Sequence, residues 1–96
     1  MRPSVALKLH RDTIRQTVER YRLRNARIYG SVLSGKDREG SDLDILVDPA
    51  PDTTLLDLGG LQMDLEQQLG VAVDVRTPGD LPVKFRDQVL ASAKPV

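Results

Sequence analysis

Residues 26–47 read ARIYGSVLSGKDREGSDLDILV, and this stretch decides the fold. Its first apolar run ends at a glycine, and its second begins after a charged, glycine-bearing loop. The pattern predicts a short strand over residues 26–30, one helical turn over residues 31–36 and a second strand over residues 43–47. Two strands joined by a turn and a charged loop then form the centre from which the rest of the chain is arranged.

Three aspartates are placed to meet on one face of the predicted sheet. Asp42 and Asp44 are two residues apart, and residues i and i+2 of a strand share a face. Asp74 interrupts a third apolar run, residues 71–76, where an unpaired charge is costly. Neighbouring carboxylates repel one another, and a divalent cation that takes oxygen ligands, Mg²⁺ or Mn²⁺, relieves that repulsion. The alternative for Asp42 and Asp44 is an ordinary solvent-facing pair.

The pair Gly30-Ser31 stands at the end of the first predicted strand. Glycine lets the backbone approach a phosphate closely, and the turn that follows offers N–H groups to an anion. The Ser31 hydroxyl adds one more donor. The pair therefore fits the phosphates of a nucleotide, and the alternative is that Gly30 simply ends a strand while Ser31 caps a turn.

Apolar spacings predict three longer helices, over residues 4–22, 52–69 and 81–93. The order is helix, strand, strand, helix, strand, helix. That order predicts an α/β or α+β fold with a small mixed three-stranded sheet and helices packed on it. No linker divides the chain, so we expect one domain over residues 1–96.

The composition excludes several classes of protein. The chain has no Cys and one His, which excludes thiolate zinc sites, disulfides, Cys nucleophiles and His-rich metal sites. Its 14 basic and 14 acidic residues cancel, which argues against direct nucleic-acid binding or a membrane-surface role. No apolar run approaches the roughly 20 residues of a membrane span, and no signal peptide is apparent. We therefore expect a cytoplasmic protein.

The spacing Gly30-Ser31-x10-Asp42-x-Asp44, followed by Asp74, resembles the signature of the minimal nucleotidyltransferases of the DNA polymerase β superfamily. Within that superfamily the chain resembles the stand-alone MNT-domain antitoxins encoded beside HEPN-domain toxins, over about its whole length. The resemblance implies a polymerase-β-like nucleotidyltransferase fold and metal-dependent transfer of AMP from ATP to a hydroxyl group. The chain has Ser34 where most relatives have an arginine near the triphosphate.

The resemblance also implies roles for the residues that carry it. Asp42, Asp44 and Asp74 are the implied catalytic residues and ligands of two divalent ions. Gly30 and Ser31 are the implied nucleotide-binding residues, in contact with the phosphates of ATP. The implied partner is a HEPN ribonuclease toxin, modified on a tyrosine hydroxyl and thereby silenced.

Two other functions remain open. One is a non-catalytic antitoxin that binds its partner and neutralises it by occlusion. The other is transfer to a small molecule such as an aminoglycoside, which needs a further domain or a dimer groove.

Several basic residues also have two possible roles. Arg76 contacts a phosphate or neutralises the aspartates, and Lys84 and Arg86 reach the nucleotide or form a solvated helical face. Lys36 or Arg38 is positioned in sequence to replace the cation that is missing at Ser34.

Overall fold

The computed structural model describes residues 1–96 as four helices, four strands and one short 3₁₀ turn. In chain order the elements are helix α1 (Pro3–Arg20), strand β1 (Arg24–Tyr29), helix α2 (Ser31–Ser34), strand β2 (Leu43–Asp48), helix α3 (Leu55–Leu69), strand β3 (Val73–Arg76), the 3₁₀ turn (Pro78–Asp80), helix α4 (Val83–Ser92) and strand β4 (Lys94–Pro95). Every predicted element is present, with ends shifted by a few residues. None of these helices is long and apolar enough to span a membrane.

The strands form one mixed sheet in the order β3-β2-β1-β4. Strand β2 pairs antiparallel with β1 and parallel with β3, and α3 provides the crossover that a parallel pair needs. The prediction of three strands is wrong by one, because β4 pairs antiparallel with the outer edge of β1. Two residues, one of them a proline, carry no periodic signal from which a strand can be predicted.

The main core lies on one face of the sheet, beneath α1 and α3. Leu43, Ile45 and Val47 of β2 are completely buried there. The helices contribute the apolar residues that the sequence pattern places on one helical side, such as Ile14, Val18, Leu61, Leu65 and Leu69. Alternation along β2 therefore sends every second side chain into the core and leaves the others for the opposite face.

Local signals explain where α2 and α3 begin and end. Thr54 and Asp57 form a reciprocal capping box, so α3 begins at Leu55 rather than at residue 52. Gly35 and Gly70 end α2 and α3 in the left-handed conformation, as their positions in the sequence predict.

The outer edge of β3 is closed by side chains from α3. The backbone N–H of Val73 donates to Glu66 at 3.1 Å, and that of Val75 donates to the Gln62 side chain at 3.1 Å. Satisfied edge groups do not recruit a further strand. The face of the sheet opposite α1 and α3 is partly accessible, because Asp44 and Asp74 are half-buried there while Leu46 is completely buried.

Candidate active site

A row of three polar side chains crosses the face of the sheet opposite the core. Tyr29 of β1 pairs with Asp44 of β2, and Asp44 pairs in turn with Asp74 of β3. Residues in direct register share a face, so the three side chains lie side by side. The sequence analysis predicted the meeting of Asp44 and Asp74.

Asp42 has a different position from the one predicted. It is exposed and lies in the loop immediately before β2, which begins at Leu43, so it does not open the strand. It is nevertheless close enough to raise the pKa of Asp44 through its charge. The structure therefore brings all three aspartates into one electrostatic neighbourhood, with only two of them in strands.

The Asp44 carboxyl is the most perturbed acid of this neighbourhood. Partial burial, and then the negative charges of Asp74 and Asp42, raise its pKa from 3.8 to about 6, although the positive charge of Arg76 opposes the shift. The Nε of Arg76 donates to Oδ2 of Asp74 at 3.0 Å. This ion pair realises one of the two roles considered for Arg76, the neutralisation of the carboxylates.

The carboxylates suit a divalent cation, although they do not form a closed cage. No group of three or more His, Cys, Asp or Glu side chains is gathered into a metal site, and Asp74 is turned towards Arg76. The donor set is oxygen only, and the raised pKa of Asp44 reflects burial first and then repulsion by Asp74 and Asp42, which a cation would relieve. The chemistry of Asp42, Asp44 and Asp74 is that of Mg²⁺ or Mn²⁺ ligands, although the three side chains do not surround a common point.

Gly30 lies directly against this row. Its φ angle is +76°, in the left-handed region, and a Cβ added there would overlap the Asp44 carboxylate. A glycine is therefore required both by the backbone and by the space beside Asp44. Ser31 follows as the first residue of α2, where backbone N–H groups lack helical partners. The turn and the carboxylates thus form one continuous surface.

Tyr29 belongs to this surface, and the sequence analysis did not identify it. Burial, and then the charges of Asp44 and Asp74, raise the pKa of Tyr29 to about 12. The phenol is therefore a neutral hydrogen-bond donor at neutral pH. Its position just before Gly30 places it near the candidate site in sequence. Its pairing with Asp44 depends on the β1–β2 register, which cannot be derived from the sequence.

Asp37 is a second residue that sequence reasoning missed. Its side chain is 1% exposed, although the sequence predicts that residues 36–41 form a charged surface loop. It accepts from the backbone N–H of Ser4 at 2.9 Å and from Arg2 at 3.3 Å, and the Ser4 bond lowers its pKa. Asp37 thereby caps α1 and anchors the loop between the Gly-Ser turn and Asp42. The N-cap residue of α1, Arg2, provides no capping side chain, which indicates that a cap must come from elsewhere in the chain.

The other basic residues named in the sequence analysis are exposed or have partners outside the carboxylate row. Arg86 donates to the carbonyl of Leu81 at 3.0 Å and so braces the turn before α4. The Nζ of Lys84 is 5.7 Å from the centroid of the Phe85 ring. Lys36 and Arg38 are exposed on the loop.

Several known proteins resemble this chain in sequence or in fold. Residues 12–96 match the family model described as polymerase beta, nucleotidyltransferase. Protein adenylyltransferase MntA of Thermococcus cleftensis is 38% identical over 69 residues, which are 72% of this chain and 67% of the relative. A Methanocaldococcus jannaschii protein that bears the name of a protein adenylyltransferase is 38% identical over 71 residues, 74% of this chain and 76% of its own length.

Solved structures share the fold. One described as a minimal nucleotidyltransferase superposes with a TM-score of 0.85 at 38% identity, covering 97% of this chain and 95% of the other. A toxin–antitoxin structure with AMP-PNP superposes with a TM-score of 0.75 at 22% identity, covering 88% of this chain and 69% of the other. At that identity the second likeness speaks for the fold alone.

Proposed function

The chain belongs to the polymerase beta nucleotidyltransferase family, and from that premise we propose that it transfers AMP from ATP to a tyrosine hydroxyl of a HEPN-class toxin. Transfer would make it the antitoxin of that partner. The observation that carries the proposal is the continuous surface formed by Gly30, Asp44 and Asp74 on the accessible face of the sheet. The names of the 38% identical relatives favour a protein as the acceptor.

The carboxylates and the Gly-Ser turn would contact different parts of the nucleotide. Asp42, Asp44 and Asp74 would hold two divalent ions, which when bound stabilise negative charge on the attacking and leaving oxygens of an in-line displacement. The backbone at Gly30 would lie against the β- and γ-phosphates, and the Ser31 hydroxyl would donate to one of their oxygens.

Asp74 would act on the acceptor. Arg76 donates to Oδ2 of Asp74, so Oδ1 would both contact the ion nearer the acceptor and accept the proton of the incoming hydroxyl. The hydroxyl oxygen forms a bond to the α-phosphorus, the bond from that phosphorus to the bridging oxygen breaks, and pyrophosphate leaves with the electron pair. The acceptor gains one AMP, and the proton passes to Asp74 and then to water.

The test is mass spectrometry of the protein encoded beside this gene after incubation with this chain, ATP and MgCl₂. We expect that protein to gain the mass of AMP on a tyrosine, and its toxicity to fall in proportion. Asp44→Asn should abolish the gain, whereas Asp52→Asn, which removes an exposed aspartate paired with Arg22, should not. If this chain neutralised the toxin without any gain in mass, the proposed transfer would be wrong and neutralisation by occlusion would explain the result.

A further inference from the structure

A cavity of about 460 Å³ lies between α2 and α4, next to the Gly-Ser turn. Tyr29, Gly30 and Leu33 are on one side of it, and α4 forms the other. None of its lining residues is charged. The cavity therefore suits an uncharged group, in contrast to the carboxylate row that adjoins it.

Helix α4 directs towards this cavity the side that in most helices packs against the protein core. Phe85, Gln88, Val89 and Ser92 line the cavity at spacings of three, four and seven residues, which is one helical face. No residue of α4 is buried. A helix of this length depends on packing an apolar side against the protein. Here that side borders a space, and a ligand that filled the space would complete the packing.

The aromatic residues are concentrated in the cavity. The chain has two tyrosines and one phenylalanine, and Tyr29 and Phe85 both line this space. Phe85 remains 50% exposed although it is the largest apolar side chain of the chain. Aromatic faces with a few hydrogen-bonding groups beside them are the usual setting for a nucleobase.

Gly30 connects the cavity to the phosphate turn, because it belongs to both. On the basis of the proposed function, we infer that the cavity takes the base and ribose of the nucleotide, with the Phe85 ring against the base and the Gln88 amide at its edge. With the β- and γ-phosphates at Gly30-Ser31 and the α-phosphate at Asp44, the nucleoside extends past Tyr29, which pairs with Asp44 and also lines the cavity. Helix α4 thereby becomes the element that selects the nucleotide.

The experiment compares ATP with inorganic tripolyphosphate, which lacks base and sugar, by calorimetry in MgCl₂. Phe85→Ala should weaken ATP binding about five- to a hundredfold, the range of one base–aromatic stack, and leave tripolyphosphate binding unchanged. The matched control is Leu90→Ala on the same helix, which lies outside the cavity and should change neither affinity.

A second variant keeps the test independent of the stability of Phe85→Ala. Val89→Trp should fill the cavity, so that ATP binding is lost while tripolyphosphate still binds. Gln88→Ala should narrow the ratio between the affinities for ATP and GTP, because the amide can read the edge of the base.

Several results would overturn the inference while leaving the proposed function intact. One is equal affinity of the unmodified protein for ATP and tripolyphosphate. Another is an unchanged ATP affinity in both Phe85→Ala and Val89→Trp. A third is an equal loss of affinity for ATP and for tripolyphosphate in these variants. A Phe85→Ala variant that binds ATP normally but transfers AMP slowly would assign the cavity to the acceptor. Failure of the unmodified protein to bind either ligand would instead refute the proposed function.

Discussion

Leu43, Ile45 and Val47 on one face of β2 are completely buried, whereas Asp44 on the other face is half-buried among like charges. The apolar set and Asp44 alternate along a single strand of six residues, although Leu46, on the face of Asp44, is also completely buried. Burial of the apolar set removes apolar surface from water and stabilises the fold. The position of Asp44 opposes folding, because its carboxylate is partly desolvated and lies near those of Asp74 and Asp42.

This contrast shows that different properties of the side chains matter on the two faces of the sheet. On the apolar face, the volume and shape of side chains matter, because interiors are closely packed. On the carboxylate face, charge and the absence of a side chain at Gly30 matter. Substitutions of the apolar residues should therefore lower stability, and removal of a carboxylate charge should lower activity with little or no loss of stability.

The largest effect is expected at Gly30. Gly30→Ala strains a left-handed backbone and pushes a methyl group into the Asp44 carboxylate, so transfer should fall by roughly a thousandfold, or about 4 kcal/mol. Initial rates with labelled ATP measure the loss. Gly35→Ala is the control, because Gly35 has a φ of +75° and nothing within 4 Å of an added Cβ. A thousandfold loss in both variants would show that backbone strain, not crowding at Asp44, is responsible.

The next largest effect concerns the opposite face. Ile45→Ala removes a completely buried side chain and should lower the free energy of unfolding by about 2–5 kcal/mol, as measured in urea. The transfer rate per folded molecule should stay close to that of the unmodified chain. Leu55→Ala, at a residue that is 82% exposed, should cost less than about 0.5 kcal/mol. An Ile45→Ala variant as stable as Leu55→Ala would contradict the description of this core.

A smaller effect, of opposite sign, is expected at Asp44 without metal. Because the pKa of Asp44 is raised from 3.8 to about 6, the folded state holds this proton more tightly than the unfolded state. Its contribution to stability is therefore favourable at low pH and is lost as pH rises from about 4 to about 6. Asparagine does not ionise, so Asp44→Asn avoids this fall in stability. In EDTA at neutral pH the free energy of unfolding of the variant should be higher by about 1 kcal/mol after allowance for solvent screening.

Thermal unfolding across pH measures this difference. Near neutral pH Asp44→Asn should melt roughly 4–8 °C above the unmodified chain, and the gap should close below about pH 4. Asp52→Asn, at an exposed position, corrects for the general effect of removing a negative charge. A variant that melts below the unmodified chain in EDTA would show that the Asp44 charge is stabilised, rather than strained, in its place.

The sequence predicted the fold well because its signals are local. Alternation identified β2, helical spacing identified α1 and α3, and Gly35 and Gly70 marked their helix ends correctly. The fourth strand was missed because Lys94 and Pro95 are too few to show a period. The parallel and antiparallel pairings became visible only in the structure.

The candidate site was predictable in part for the same reason. Asp42, Asp44 and Gly30-Ser31 lie close together in sequence, so spacing alone relates them, and the meeting of Asp44 with Asp74 followed from strand parity. Tyr29, Asp37 and Phe85 act through neighbours that are distant in the chain. Asp37, for example, caps α1 by accepting from Ser4, which lies 33 residues earlier in the chain. Such contacts depend on tertiary packing, which periodicity does not encode.

The most direct test of the contrast between the two faces is Asp74→Asn, assayed with ATP labelled on the α-phosphate. The side chain keeps its size and loses its charge, so the urea midpoint and the affinity for the partner should match those of the unmodified chain. Transfer of label to the partner should disappear, and protection of cells from the toxin should disappear with it. Label transferred at the unmodified rate, or full protection without any label, would contradict the account.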